Sequence, residues 1–243
     1  MSHYLNLTAN FRTGSTLPSI EDQYNDLWKL AKFLDTVGFP INGWFPPAAT
    51  PAASLLNEAF SATGPTPAAI AMCKADKANL ATDLRILGTW NGMEGSGGAA
   101  YSTTYNTSRI PSNLDFSTQD ANAFQDHRTV AKFVQSIISL WNPMLVAVDP
   151  DGYSEKSVFP DRPAVGWMIY LPFEISTRQV PEAAEIIPIM SADGKKHQGS
   201  LIISTTDTFD VDNPEHVKKA NAIETRLVDQ DLLPTMREFV TKF

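Results

Sequence analysis

Two clusters of aspartates contain the residues of this sequence that are best suited to chemistry. The first is Asp149 and Asp151, and the second is Asp207, Asp210 and Asp212. Each cluster follows a short apolar segment that could form a buried strand. Carboxylates grouped at strand ends can hold a divalent cation, and a bound cation can activate water for hydrolysis. A metal-assisted hydrolase is therefore one function that the sequence allows.

The same aspartates also fit structural roles. The segment 149–152 reads Asp-Pro-Asp-Gly, which is typical of a turn, and no glutamate follows at the position that a calcium loop requires. The four histidines show no spacing typical of zinc. We therefore favour turn and helix-cap roles for both clusters, and we predict no catalytic residue, no metal and no cofactor.

The glycine-rich segment 91–98 invites comparison with a phosphate-binding loop. No Gly-Lys-Ser or Gly-Lys-Thr follows it, and the next segment has the pattern of a strand, whereas a phosphate loop precedes a helix. Ser96 also lacks the glycine two positions earlier that a nucleophile elbow requires, since that position is Glu94. We predict a flexible hairpin loop. Its flanking Trp90 and Tyr101 are candidates for partner contacts because amphipathic aromatic residues are enriched at binding hot spots.

The composition limits the classes of partner. The chain has 243 residues and a formal net charge of -8, which disfavours direct binding to nucleic acid phosphates and favours a basic protein partner. Ordinary solubility is the alternative explanation of that charge. The single cysteine, Cys73, cannot form an internal disulfide, in agreement with a reducing compartment. No segment reaches the length and apolarity of a membrane helix, so we expect a cytoplasmic protein without membrane contacts.

The elements that position these residues centre on segment 165–171, a nearly continuous apolar run of strand length. We predict a strand buried on both faces, paired with 144–148 and covered by a helix over 120–140. Strands come in runs, without regular alternation with helices. This order predicts an α+β fold with a mixed or mainly antiparallel sheet covered by helices, in a single domain over 1–243.

The remaining elements are predicted from periodicity and from turn residues. The Pro/Ala-rich segment 39–67 contains buried-type aromatic residues, so we interpret it as an ordered insertion. The predicted strands are 4–11, 83–90, 99–105, 113–116, 186–190 and 200–205. The predicted helices are 19–38 with Ser19 as cap, 52–60, 68–78, 179–184, 215–228 and 231–242.

Three segments in this order resemble the immunity protein 52 family of bacterial polymorphic-toxin systems. They are Leu-Trp-Asn-Pro at 140–143, Asp-Pro-Asp-Gly-Tyr at 149–153, and Gly-Trp-Met-Ile-Tyr-Leu-Pro at 166–172. The resemblance implies an interaction protein that neutralises a restriction-endonuclease-like nuclease toxin, which one bacterium delivers to another by type VI secretion. It further implies inhibition by occlusion, without chemistry by this chain.

An acidic protein that neutralises a basic nuclease domain needs exposed carboxylates and a few large anchoring side chains. The sequence leaves open whether the chain forms a homo-oligomer. The candidate interface residues are Trp90, Glu94, Tyr101, Asp149, Asp151, Asp207, Asp210, Asp212 and Glu215.

Overall fold

The computed structural model describes residues 5–120 and 122–242, which divide into two compact units. Unit 1 contains residues 12–123, and unit 2 contains residues 5–11 together with 124–242. Each unit combines antiparallel strands with helices. The predicted α+β class, with mainly antiparallel strands covered by helices, is confirmed.

The elements follow one another along the chain as follows. The α-helices are α1 (Ile20–Asp35), α2 (Pro51–Ser54), α3 (Pro67–Ala75), α4 (His127–Trp141), α5 (Pro214–Asp229) and α6 (Met236–Lys242). The strands are β1 (Leu5–Phe11), β2 (Phe60–Ser61), β3 (Gly64–Pro65), β4 (Leu84–Trp90), β5 (Ala99–Asn106), β6 (Ser112–Thr118), β7 (Leu145–Pro150), β8 (Met168–Leu171), β9 (Glu185–Met190) and β10 (His197–Ile203). Short 3-10 helices lie at Ile41–Gly43, Lys77–Leu80 and Ser154–Lys156.

In unit 1, α1 covers one face of the antiparallel meander β4-β5-β6. The helix begins at Ser19, whose side chain accepts a hydrogen bond of 3.0 Å from the amide of Asp22, as the sequence predicts. The buried side chain of Gln23 reaches β5, where it donates hydrogen bonds to the carbonyl and the hydroxyl of Thr103, both 3.1 Å long. The alternating burial along β5 and β6 matches a meander with one covered face.

The segment 39–67 is ordered within unit 1, but the helix predicted over 52–60 is wrong. Helix α2 ends at Ser54, and Phe60 instead pairs with Pro65 in the two-residue hairpin of β2 and β3. The backbone of Phe45 exchanges hydrogen bonds with Trp90, which fixes the insertion to the end of β4. The buried aromatic side chains of Trp44 and Phe60 explain why this segment does not behave as a solvated linker.

In unit 2, five strands form an antiparallel sheet in the order β1-β7-β8-β10-β9. Strand β8 is buried at every position and pairs with β7, as predicted. Phe11 of β1 contacts Trp141 of α4, with ring centroids 6.3 Å apart, so α4 covers the face that carries Phe11. Residues from α5 and α6 join the core on the side of Ile169 and Leu171.

Several predictions for unit 2 differ from the structure, among them the helix predicted over 231–242, which begins at Met236. The helix predicted over 120–140 begins only at His127, because Asp126 caps it with a 3.1 Å hydrogen bond to the amide of Arg128 and turns precede it. Strand β8 begins at Met168, because Gly166 has φ +53 and cannot continue an extended strand. The segment 179–184 forms turns, and the short helix predicted there is wrong.

Candidate functional site

The turn after β7 is built around a buried tyrosine and a carboxyl group on α5. Strand β7 ends at Pro150, and the chain turns through Gly152, whose φ of +84 suits glycine. This turn brings Tyr153 into the interior of unit 2, where it is fully buried. Its hydroxyl lies 2.8 Å from Oε1 of Glu224. The predicted turn therefore has an internal function that the Asp-Pro-Asp-Gly pattern alone does not indicate.

Glu224 is a buried ionisable residue of this site that the sequence analysis missed. It is 1% exposed, and its two carboxyl oxygens accept three hydrogen bonds. Besides Tyr153, the donors are the amide of Val158 at 2.7 Å and the amide of Val165 at 3.1 Å. A buried carboxyl group needs such donors, because desolvation without them is strongly unfavourable. The residue shares the buried face of α5 with Ala220, Ile223 and Leu227, so its spacing along the helix is the sequence signal that could have indicated its burial.

Asp149 lies close to this carboxyl group and is itself partly buried. Burial, together with the negative charge of Glu224, raises the pKa of Asp149 to about 7. The close approach of the chain at Gly166 contributes to the enclosure: a side chain there would meet the Asp149 Cβ at 2.8 Å. Asp149 is therefore part of an internal acidic pair, whereas Asp151 in the same turn is exposed.

The turn also supports the acidic segment 207–215. The ring of Tyr153 packs edge-to-face against Phe209, with centroids 5.4 Å apart, and Phe209 lies 5.6 Å from the ring of His216. The Nδ1 atom of His216 accepts a 3.0 Å hydrogen bond from the amide of Asp210. The structure therefore brings the two predicted aspartate clusters onto the same part of unit 2.

Within the acidic segment, the carboxylates have different roles. Asp210 is partly buried, and its Oδ1 accepts a 2.9 Å hydrogen bond from the amide of Asp212. The side chain of Asn213 caps α5 through the amide of Glu215 at 3.0 Å. Asp207, Asp212 and Glu215 are exposed, so these three carboxylates are available to a partner.

Basic residues reduce the negative charge around this segment. Lys156 donates a 2.7 Å hydrogen bond to the carbonyl of Val211 and lies 3.9 Å from a carboxylate oxygen of Asp212. Together with Lys218, these residues line a groove of about 430 Å³ at the start of α5. The surface therefore combines exposed carboxylates with two lysines and a partly apolar groove. Such a mixture of charges favours specificity as well as attraction.

In unit 1, the structure separates the predicted aromatic contacts by burial. Tyr101 is 2% exposed, its hydroxyl donates a 3.0 Å hydrogen bond to the carbonyl of Leu27, and its ring packs against Trp44 at 4.7 Å. In the chain alone, Tyr101 therefore belongs to the core beneath α1, and its contact with a partner stays a prediction. Trp90 is only partly buried, and its Nε1 donates a 2.7 Å hydrogen bond to Ser54.

The loop 91–98 joins β4 and β5, as predicted, and Asn91 organises it. The Asn91 side chain donates to the carbonyl of Gly97 at 2.7 Å and accepts from the amide of Ala99 at 2.9 Å. Glu94 is exposed on this loop. The sequence analysis missed large apolar side chains that are exposed in the same unit. They are Leu55, Leu56, Leu84, Ile86, Met93 and Ile110, with Leu56 the most exposed at 78%.

Two findings bear on the classes of function that the sequence left open. In the part of the chain that the structure describes, no three histidine, cysteine, aspartate or glutamate residues come together in a way that could hold a metal ion. Within the same residues, no helix has the length and apolarity that crossing a bilayer requires.

Comparison with known proteins finds a family model that matches part of the chain. Residues 118–236, just under half of the chain, match the family described as immunity protein 52. None of the curated proteins matches the chain. Among solved structures, the chain is similar to the Pseudomonas aeruginosa T6SS protein PA0821, with 12% identity, a TM-score of 0.58, and coverage of 93% of this chain and 72% of that one. At this identity the likeness concerns the fold alone.

The segment that matches the immunity protein 52 family contains the network described above. It includes the turn 149–153, Gly166, the acidic segment 207–215 and Glu224. Loop 91–98 and the exposed apolar side chains of unit 1 lie before residue 118 and outside the match. The three segments that carry the resemblance in the sequence all lie inside it.

Proposed function

We propose that the chain is an immunity protein that binds a cognate antibacterial toxin and neutralises it. The observation that carries this proposal is the match of residues 118–236 to the immunity protein 52 family. The exposed carboxylates Asp207, Asp212 and Glu215 lie inside that match and support contact with a basic partner. The toxin is a nuclease with a basic nucleic-acid-binding surface, and the complex prevents its substrate from reaching that surface.

The toxin reaches the neighbouring cell by type VI secretion, and the immunity protein protects the cell that produces it. The similar Pseudomonas aeruginosa structure is titled a T6SS protein, which supports this context. Inhibition is stoichiometric because it depends on occupancy of the toxin and not on turnover. The rigid support of the acidic segment by Tyr153 and Phe209 reduces the entropy lost on binding.

The decisive experiment combines this chain with the toxin encoded beside it. We expect a stable complex in gel filtration and loss of DNA cleavage by the toxin at an equimolar ratio. Bacteria that express the toxin should survive only when this chain is co-expressed. A toxin that is not encoded beside this chain serves as the specificity control. Full protection at a ratio far below one to one would contradict occlusion, and absence of both complex and protection would overturn the proposed function.

A further inference from the structure

Strand β4 leaves part of its backbone open along one side. Trp90 exchanges backbone hydrogen bonds of 2.8 and 3.1 Å with Phe45, so its amide and carbonyl point away from β5. Asn91, the next residue, donates in the other direction, to β5. Because the direction of backbone groups alternates along a strand, the amides and carbonyls of Gly88 and Ile86 point to the same side as those of Trp90.

The insertion does not follow β4 beyond Trp90. Phe45 is followed by Pro46 and Pro47, which have no amide hydrogen and cannot continue a ladder. Strand β4 lies at the end of the strand order. Among residues 5–120 and 122–242, no backbone or side-chain group completes the pairing of β4 at Gly88 and Ile86 on this side. The strand therefore presents two consecutive outward-facing pairing positions to solvent.

A groove of about 410 Å³ lies beside these positions. Its walls are β4 at 86–88, the segment 46–48 and the end of α3. The side chain of Ile86 is 57% exposed, which is unusual for isoleucine in a strand. An extended chain of five residues spans about 17 Å, the length that pairs with such a strand.

The chemistry of the groove selects its occupant. Its lining is mainly apolar, and the charged residue among the described lining residues is Asp76, whose side chain is exposed. We propose that the groove beside β4 binds an extended apolar segment of a partner protein, which adds to the sheet as a further strand and places a basic side chain near Asp76. Main-chain hydrogen bonds to Ile86 and Gly88 supply affinity, and Ile86 and Asp76 supply specificity.

A second copy of this chain is a poorer occupant. Its own β4 would arrive with the same walls beside it, namely segment 46–48 and the end of α3. Edge-to-edge pairing of two copies would therefore bring two sets of walls together. It would also bring together two copies of Asp76, in chains that each have a formal net charge of -8. A basic extended segment meets neither obstacle. This surface belongs to unit 1, and the proposal stands without the proposed function.

The test uses the full chain and the peptide Lys-Val-Thr-Val-Thr-Val-Lys, with both ends blocked. We expect it to shift the amide resonances of Ile86 and Gly88 in ¹⁵N-labelled protein and to slow their hydrogen exchange. In an extended peptide, alternate amides point to opposite edges. One matched peptide carries N-methyl groups on the amides of one edge, and a second matched peptide carries them on the amides of the other edge. One of the two should bind about tenfold more weakly, because it loses the hydrogen bonds to β4 while keeping every side chain.

Three variants test the protein side. Ile86→Pro removes an outward-facing amide without removing a hydrogen bond to β5, so it should abolish binding; Ile86→Thr retains the amide and should bind. Asp76→Asn keeps an acceptor for the amide of Ala78. It should remove the preference for the lysine peptide over a peptide in which glutamate replaces both lysines. If Ile86→Pro fails to fold, the comparison of the two N-methylated peptides on the unchanged protein still tests the proposal. No shifts at these amides, equal binding of all peptides, or a dimer that Ile86→Pro dissociates would each overturn the proposal.

Discussion

The hydroxyl of Tyr153 donates a 2.8 Å hydrogen bond to the buried carboxyl group of Glu224. This contact joins the turn after β7 to α5 across 71 positions of the chain. Because the same tyrosine ring supports Phe209, the contact also positions the segment that displays Asp207, Asp212 and Glu215. A motif that reads as a surface turn in the sequence therefore acts as an internal support for a surface.

Replacing Glu224 should have a large effect on stability. Glu224→Leu leaves the amides of Val158 and Val165 without their acceptor, and the Tyr153 hydroxyl keeps only Asn221 Oδ1, at 3.1 Å. We expect a loss of about 3 to 5 kcal/mol in the free energy of unfolding, because each unsatisfied buried group costs about 1 to 3 kcal/mol and partial relaxation lowers the sum. Urea unfolding measures this loss. A change below about 1 kcal/mol would mean that water satisfies these donors in the native state.

Tyr153→Phe tests the hydroxyl contact separately. The variant keeps the ring against Phe209 and loses one hydrogen bond, so we expect a loss of about 1 kcal/mol. Glu224→Leu removes the carboxyl group that accepts this hydrogen bond. A double-mutant cycle between these two variants should give a coupling energy of about 0.5 kcal/mol or more, since the residues are in contact. Additive effects within error would contradict a direct interaction.

Asp149 should make stability depend on pH. Its pKa is raised to about 7 by burial and by the charge of Glu224, whereas an aspartate in the unfolded chain titrates near 3.9. At pH values between these two pKa values, Asp149 is protonated in the folded chain and ionised in the unfolded chain. The free energy of unfolding should therefore be greatest below about pH 4 and fall as pH rises to about 7, by roughly 4 kcal/mol in total from this residue.

Asp149→Asn should remove that component and be the more stable protein at pH 8. Asp151→Asn is the matched control, because it changes an exposed carboxylate in the same turn. Urea unfolding of both variants and the unchanged chain at pH 5 and pH 8 isolates the effect. If Asp149→Asn keeps the full pH dependence of the unchanged chain, the acidic pair does not titrate in this range.

The sequence predicted the elements whose patterns are local. Alternation along β5 and β6, the cap at Ser19 and the apolar run of β8 all depend on neighbouring residues, so their periods show in the sequence. The N-terminal part of the helix predicted over 120–140 failed for a local reason as well. Asp126 caps the helix and turns precede it, so the helix begins at His127.

The candidate site was less predictable because its main contacts join distant parts of the chain. Glu224 shares the buried face of α5 with Ile223 and Leu227, but its hydrogen-bond donor Tyr153 comes from a distant part of the chain. Tyr101 shows the opposite case. Its alternating strand position is compatible with either face, and α1 covers the face on which it lies. Pairing across 71 or 74 positions leaves no periodic signal in a single sequence.

Gly166 should be intolerant of a side chain. Its φ is +53, and a Cβ there would lie 2.8 Å from both the Asp149 Cβ and the Val148 carbonyl oxygen. Gly166→Ala therefore combines backbone strain with a clash, and we expect a loss of about 2 to 4 kcal/mol. Gly152→Ala is the matched control: its φ is +84, but no atom lies within 4 Å of the added Cβ. It should lose about 1 kcal/mol, the component due to strain alone. Equal melting temperatures for the two variants would contradict the close packing at Gly166.

Tyr101→Phe should reduce stability without weakening the toxin complex. The variant loses a buried 3.0 Å hydrogen bond to Leu27, which costs about 1 kcal/mol. A hot-spot residue would show the opposite result, with faster dissociation of the complex and little change in melting temperature. Surface plasmon resonance and thermal unfolding of the same preparation compare the two quantities. Dissociation that accelerates about tenfold at an unchanged melting temperature would identify Tyr101 as a contact residue.

Charge reversal in the acidic segment should slow association with the toxin. A variant with Asp207→Lys, Asp212→Lys and Glu215→Lys leaves Asp210 in place, because its side chain accepts the amide of Asp212. If exposed carboxylates attract a basic nuclease, we expect association about tenfold slower at low salt and a weaker dependence of that rate on salt. Dissociation should change less, because attraction between charged surfaces acts mainly during encounter.

The control variant must carry the same change of net charge elsewhere in unit 2. Glu174→Lys, Asp161→Lys and Asp229→Lys reverse three other exposed carboxylates and serve this purpose. Association rates at two salt concentrations, with melting temperatures beside them, separate three cases. Slow association of the segment variant alone identifies the segment as the attracting surface. Slow association of both variants shows that net charge suffices. Unchanged association rates with a lowered melting temperature would mean that these carboxylates only stabilise the turn and the start of α5. Turn and helix-cap roles are the ones that the sequence alone favours.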